Sequence, residues 1–184
     1  MYGEETLRVP TVQERDDAPF AELFRTEYST VYRYFYYRTG SRSMSEDLTQ
    51  ETFVRAYRAF DRFDPSRASA ATWLFTIGRS VYVDEWRRTG RHVYAEEEVP
   101  ESVIGAESPE SDLCRRETNA ALYRAMAMLS ARERHLIALK YAAGLRNREI
   151  AGLFGKSERH TAVLLCRTLK KLRKILEKEG VYAP

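Results

Sequence analysis

Residues 130–176, SARERHLIALKYAAGLRNREIAGLFGKSERHTAVLLCRTLKKLRKIL, confine the chain to a narrow set of folds. Ser130 followed by Glu133 is a capping-box pattern, in which each side chain satisfies a free backbone donor at a helix start. Ile137, Ala138 and Tyr141 continue an apolar stripe at helical spacing, and Gly144 ends it. Ile150, Ala151, Leu153 and Phe154 mark the apolar side of a second short helix that turns at Gly155. Ser157 is placed to cap a third helix, in which Thr161, Leu165, Leu169, Leu172 and Leu176 recur every three or four residues. Its opposite side carries Arg159, His160, Arg167, Lys170, Lys171, Arg173 and Lys174. A short helix, a glycine turn and a longer basic helix have the layout of a helix-turn-helix. The plainer alternative is a helical hairpin with a solvated basic face.

Charge partition separates these alternatives. Residues 113–184 hold 16 Lys and Arg against 6 Asp and Glu, a net of +10, whereas the whole chain is only +3. The first 112 residues are therefore net −7. Basic charge gathered on one small helical unit is the footprint of a polyanion partner.

The rest of the chain is also helical in pattern. Residues 1–18 read as an acidic, poorly ordered tail. A first helix runs from about Phe20 to Thr39, with Phe20, Leu23, Phe24, Val31, Tyr32 and Phe35 as its buried stripe and Gly40 and Ser41 as its stop. Ser45 is the expected N-cap of a second helix, with Glu46 and Asp47 set against the helix dipole and Leu48, Phe53, Ala56 and Tyr57 leading to Phe60. After a turn-rich loop with Pro65, a third helix over about 70–88 carries Trp73, Leu74, Ile77, Val81 and Trp86. The YRYFYY run, Tyr32 to Tyr37, holds more rings than one buried face can take, so some must be exposed or lie at an interface.

Between His92 and Asp112 there are 7 acids and no Lys or Arg, together with Pro100, Gly105 and Pro109. That composition favours a solvated linker. The expected architecture is all-α: two small helical domains, residues 19–89 and 113–179, joined by a flexible acidic linker over 90–112, with a short tail at 180–184. No apolar run approaches the roughly 20 residues that span a bilayer, so no membrane insertion is expected. The start lacks the basic-then-apolar layout of a secretory signal, which points to a cytoplasmic protein. Cys114 and Cys166 have no paired-ligand spacing and are expected as buried or half-buried free thiols, and His92, His135 and His160 form no metal-ligand set. No cofactor is expected, and no residue set is suited to catalysis.

The run SMSEDLTQETFVRAYRAFDRFDPSRASAATWLFTIGRSVYVDEWRR resembles the second conserved region of bacterial sigma factors. The similarity is greatest to the extracytoplasmic-function (ECF) group, which keeps that region and the fourth joined by a variable linker. SPESDLCRRE and the helix-turn-helix match the entry and body of the fourth region, so the resemblance spans roughly residues 19–177. It implies a protein that is not itself an enzyme, with core RNA polymerase, promoter DNA and an anti-sigma factor as partners. Asp47, Leu48, Gln50 and Glu51 reproduce the D-L-x-Q-E pattern and would dock on the polymerase. The loop from Asp61 to Ser69 and the third helix would read and melt the downstream (minus-ten) element through Phe63, Arg67, Trp73, Arg79, Ser80, Tyr82, Asp84, Trp86, Arg87 and Arg88. Unstacked bases need aromatic faces and cations along the displaced strand, although a helical Trp such as Trp73 is also a natural core residue.

Upstream (minus-thirty-five) DNA would meet Arg146, Arg148, Lys156, Ser157, Arg159, His160, Val163, Arg167 and Lys170. Arg159, His160 and Arg167 are the candidates for base edges, and Arg146, Arg148, Lys156, Lys170 and Lys171 for phosphates. Val163 could meet a thymine methyl or pack inward with Leu164. The chain departs from the family at Gly78-Arg79-Ser80, where Ala-Arg-Asn is common and where glycine costs a helix about 1 kcal/mol. It departs again at Arg146, where a capping Ser is frequent and Asn147 is the expected substitute. Two rival readings are a helix-turn-helix regulator that never docks on polymerase and a sigma-like decoy that sequesters an anti-sigma factor.

Overall fold

A computed structural model describes residues 17–90 and 119–178. The expected acidic tail, the acidic linker, Cys114, His92 and the C-terminal tail lie outside these residues. Every regular element among the described residues is helical. Helices α1 (Ala18–Thr39), α2 (Arg42–Ala59) and α3 (Ala70–Thr89) form the N-terminal half, with a short 3₁₀ turn at Phe60–Arg62. The C-terminal half comprises α4 (helical at 119–127), α5 (Ala131–Ile137), a π-helical turn (Ala138–Ala142), α6 (Asn147–Phe154) and α7 (Glu158–Lys178).

The corner between α1 and α2 is tighter than the sequence suggests. Gly40 adopts φ 63 and donates its N–H to the Tyr36 carbonyl, ending α1 in the left-handed conformation glycine tolerates best. Ser41 then caps α2 by accepting from the Met44 N–H, so the cap lies four residues before the expected one at Ser45. Ser45 lies inside the helix, fully buried, and donates to the Ser41 carbonyl at 2.5 Å while sharing a hydrogen bond with Thr39. Both serines have capping chemistry. The stop at Gly40 decides between them, because the chain must turn at once.

Ser69 caps α3 as Ser130 caps α5, where the full capping box forms with Glu133. Burial opposes the charge on Glu133, but hydrogen bonds from Lys171 and from Ser130 outweigh it and hold the carboxyl below its usual range. In the π-helical turn the Ala143 N–H reaches back to the Ala138 carbonyl, which advances the register and swings Tyr141 out to 54% exposure rather than into the expected stripe. Gly144 (φ 68) and Gly155 (φ 61) make the two turns of the helix-turn-helix. At the start of α6 the cap is Arg146, not Asn147. The Glu149 carboxylate accepts from the Arg146 N–H at 2.8 Å, whereas Asn147 Oδ1 is buried without a hydrogen-bond partner.

The two halves share one core. Leu23, Val31, Tyr34, Phe35, Leu74, Phe75 and Val81 pack in the same cluster as Leu136, Leu139, Ala142 and Ile150. The crowded aromatic run of α1 is what makes this possible. Tyr32, Tyr34, Phe35 and Tyr36 are all buried, and the second face that they need is supplied by the C-terminal half. Tyr36 meets Tyr123 of α4 edge-on at 4.9 Å, and Tyr34 meets His135 of α5 at 5.8 Å between ring centroids. Phe24, Trp86 and Leu169, expected in buried stripes, are instead largely exposed.

Candidate nucleic-acid interface

Three surfaces gather the residues singled out by sequence. On α2, Asp47, Gln50 and Glu51 are exposed and share one face, being three and four residues apart. Leu48 is not part of that surface. At 4% exposure it belongs to the core, where it fixes the rotation of α2 and so aims the three polar side chains outward. Glu51 is tied back at 2.7 Å to Arg55, which bridges to Asp84 of α3 at 2.5 Å. Asp84, placed by sequence among DNA-facing residues, is therefore engaged in holding α2 to α3.

Beside this face lies an aromatic groove the sequence reading missed, lined by Phe20, Phe24, Tyr28, Phe53, Val54 and Tyr57. Phe24 and Val54 are 41% and 43% exposed. Gln50 lines the same groove, which makes the polar face and the apolar groove continuous. The signal in the sequence was Phe20 and Phe24, assigned to a buried stripe of α1 of which Phe24 turns partly to solvent.

The second surface runs from the loop after α2 along α3. Phe63 and Trp73 pack with ring centroids 4.8 Å apart, and Trp73 also approaches Phe60 at 6.2 Å. Both rings are half-buried, so they form a ledge with one side supported by protein. Arg67, Arg79, Ser80, Trp86, Arg87 and Arg88 are exposed. Arg88 pairs with Glu85, and Arg79 donates to the Leu153 carbonyl of α6 at 2.5 Å. Tyr82 departs from expectation. It is 8% exposed and covered by the Arg38 guanidinium, whose carbon lies 3.4 Å from the ring centroid, so Tyr82 is a core aromatic in a cation–π contact.

Gly78 also acquires a reason. A Cβ at that position would lie 3.2 Å from Phe35 Cζ and 3.5 Å from Thr52 Oγ1. The missing side chain lets α3 approach α1 and α2, offsetting the helix-propensity cost of glycine.

On the third surface all nine residues assigned to upstream DNA are exposed: Arg146, Arg148, Lys156, Ser157, Arg159, His160, Val163, Arg167 and Lys170. Ser157 additionally caps α7 by accepting from the His160 N–H at 3.2 Å. Val163 faces solvent at 43% exposure, while its neighbour Leu164 packs against the core. Arg159, Arg167 and Lys170 have no ion-pair partner among the described residues, whereas Lys171 is engaged by Glu133 at 2.8 Å and Arg173 by Glu177. Cys166, expected to be buried or half-buried, is exposed on the same helix.

Burial and charge concentrate where the halves meet. Arg38 and Arg134 are 6% and 5% exposed. Arg38 donates to the Tyr34 hydroxyl at 2.8 Å, and Arg134 donates to the Arg38 carbonyl at 3.2 Å and the Leu129 carbonyl at 2.5 Å. Burial above all, with the charges of Arg38 and Arg79 adding to it, holds the His135 imidazole well below its ordinary value. Burial likewise raises the Tyr34 phenol, outweighing the opposing influence of Arg38.

No cluster of three or more His, Cys, Asp or Glu suited to a metal occurs among the described residues, and no helix there is long and apolar enough to cross a membrane. Among the described residues, an all-α arrangement with a helix-turn-helix, an exposed cationic helix and a separate acidic and aromatic face is the layout of the sigma-factor class of DNA-binding proteins. Residues 23–92 match the Sigma-70 region 2 family and residues 119–172 the Sigma-70, region 4 family. The chain is similar to the ECF RNA polymerase sigma factor BldN of Streptomyces coelicolor, with 32% identity over 177 residues, 94% of this chain and 67% of that protein. It is similar also to the ECF RNA polymerase sigma factor RpoE of Cereibacter sphaeroides, with 34% identity over 146 residues and 77% of each chain. The chain belongs to the ECF group of RNA polymerase sigma factors. Its fold is that of the sigma factor RpoE from Bartonella quintana, solved in complex with the anti-sigma factor NepR, at a TM-score of 0.69, 24% identity, and coverage of 86% of this chain and 97% of that one.

Proposed function

We infer that this protein binds core RNA polymerase in the cytoplasm and directs it to a set of promoters, with polymerase performing all nucleotidyl transfer. Residues 19–89 would carry polymerase docking and downstream-element recognition, and residues 113–179 upstream-element recognition, with 90–112 as the connection between them. Asp47, Gln50 and Glu51 would pair with basic side chains of the polymerase while the adjoining groove of Phe20, Phe24, Val54 and Tyr57 takes apolar ones. The ledge of Phe63 and Trp73 offers supported aromatic faces to unstacked bases, and Arg67, Arg79, Arg87 and Arg88 offer cations to the strand backbone. On α7, Arg159, His160, Val163 and Arg167 would meet base edges, and Arg146, Arg148, Lys156 and Lys170 would hold phosphates. An anti-sigma factor is the expected regulator, as in the similar RpoE–NepR complex.

The observation that carries this reading is the exposure of Asp47, Gln50 and Glu51 on one face of α2, in a chain whose α7 separately presents its cations. A DNA-binding regulator needs the second surface and has no use for the first. Reconstitution with bacterial core polymerase on a pool of randomised promoters tests it directly. Transcripts from a selected subset are the expected result. Core binding with no initiation would favour the decoy reading, and absence of core binding the simple regulator.

A further inference from the structure

A single guanidinium joins the docking helix α2 to α3. Arg55 Nε donates to Glu51 Oε1 at 2.7 Å, and Arg55 Nη1 donates to Asp84 Oδ2 at 2.5 Å. The first contact spans one turn of α2, and the second crosses to α3, 29 positions further along the chain. Both carboxylates hold the guanidinium above its ordinary value, the hydrogen bond to Asp84 contributing most, so Asp84 is the firmer anchor. Glu51 and Arg55 are a surface pair with side chains 46% and 36% exposed. A pair that open to water constrains its own geometry only weakly. The carboxylate from α3 is what fixes the guanidinium and, through it, Glu51.

These three residues line a cleft between α2 and α3 together with Asp47, Glu85 and Arg88. Its charges do not count equally. Arg88 pairs with Glu85 at 2.8 Å, and those two charges cancel. Asp47 has no ion-pair partner among the described residues. Arg55 divides one positive charge between two carboxylates, which leaves the trio net negative beside Asp47. Without Asp84 the Glu51–Arg55 pair would be neutral, and it would offer a basic partner little net attraction.

We propose that Asp84 is a positioning residue for polymerase docking: as counter-ion to Arg55 it aims Glu51 and keeps the α2–α3 cleft negative for a basic side chain of the polymerase. Its place is therefore with the docking surface and not with the DNA-facing residues of α3. The proposal rests on the assignment of Asp47 and Glu51 to polymerase docking made above. It adds that a residue outside that exposed face controls how well the face works.

The test measures the affinity of the full-length protein for bacterial core polymerase at several salt concentrations, in a double-mutant cycle of Asp84→Asn and Glu51→Gln. Asp84→Asn is expected to weaken core binding several-fold and to flatten its salt dependence. In the Glu51→Gln background the same change should do little, because the carboxylate it positions is already gone. A merely structural loss would act equally in both backgrounds. Arg55→Lys is the second variant: it keeps the charge, but one ammonium replaces a planar fork whose two nitrogens serve two partners. It should weaken core binding in the same direction, and it carries the cycle if Asp84→Asn loses helicity. With core at saturation, the Asp84→Asn protein should open a promoter selected from the randomised pool as well as the parent does. Unchanged core affinity in a folded Asp84→Asn protein, an equal loss in the Glu51→Gln background, or normal core affinity with lost promoter opening would overturn the proposal. Core binding indifferent to Glu51→Gln and to Asp47→Lys is a distinct result, which would remove the docking assignment and the proposal with it.

Discussion

The hydroxyl of Tyr34 and Nε2 of His135 lie 3.0 Å apart although 101 positions separate them in sequence. Arg38 donates to the same hydroxyl at 2.8 Å, so one phenolic oxygen links the guanidinium and the imidazole. Burial above all, with the two nearby guanidiniums adding to it, favours the neutral imidazole.

Stability should therefore fall with acid in a defined window. Because His135 titrates lower in the folded protein than its ordinary 6.5, an unfolded or opened chain takes up the proton first. Its contribution is intact above about pH 6.5 and is lost as pH drops below that value, by up to about 1.4 kcal/mol per pH unit. Glu133 and Glu149 are held below their usual value of 4.5, so the stability they contribute is lost only at pH below that value. Urea denaturation at pH 7.5 and 5.5 should show this loss in the parent and a clearly smaller one in His135→Gln.

Gly78→Ala should destabilise the protein despite improving helix propensity. The propensity gain is about 1 kcal/mol, but the new methyl would press on Phe35, itself fully buried, at 3.2 Å. Overpacking of this kind costs about 1–3 kcal/mol. A net loss of about 1 kcal/mol is expected by chemical denaturation, and a gain would mean the Phe35 ring can shift.

Asp47→Lys with Glu51→Lys should abolish co-purification with core polymerase while leaving helicity and melting temperature nearly unchanged. Both side chains are exposed, and the Glu51–Arg55 ion pair at the surface is worth only a few tenths of a kcal/mol. Val54→Asp, in the groove beside them, should weaken the same association without touching DNA contacts. Retained polymerase binding by the double variant would remove α2 from the docking surface.

Arg159 and Lys170 should fail in different ways. Arg159→Ala is expected to relax base preference in the upstream element, costing about 1–3 kcal/mol at the preferred site. Lys170→Ala should weaken all promoters alike and reduce the slope of log affinity against log salt by about 1. Binding titrations across salt concentrations on the preferred promoter and a scrambled one separate the two effects.

Much of this protein was legible in the one-dimensional pattern. The helices, the caps at Ser130 and Ser157 and the solvent-facing cations of α7 depend on neighbours three or four residues away, and that information is local. Asp47, Leu48, Gln50 and Glu51 were singled out only through the resemblance to the sigma-factor D-L-x-Q-E pattern, and that pattern did not show that Leu48 turns inward to the core. Choices between equivalent local signals were not legible. Ser41 and Ser45 are both capable caps, and only the abrupt turn at Gly40 selects the first.

What tertiary structure alone decided is how the two halves meet. The sequence announced an excess of rings between Tyr32 and Tyr37 but not what would cover them, because the cover, Tyr123 and His135, comes from beyond a long acidic segment. The same long-range packing sent Tyr82 beneath Arg38, required Gly78 so that Phe35 could fit, and placed Glu149 and Leu153 against α3. Helical periodicity fixes which residues share a face. Which face meets which depends on shape and on where buried cations find partners, and that is settled only when the whole chain has packed.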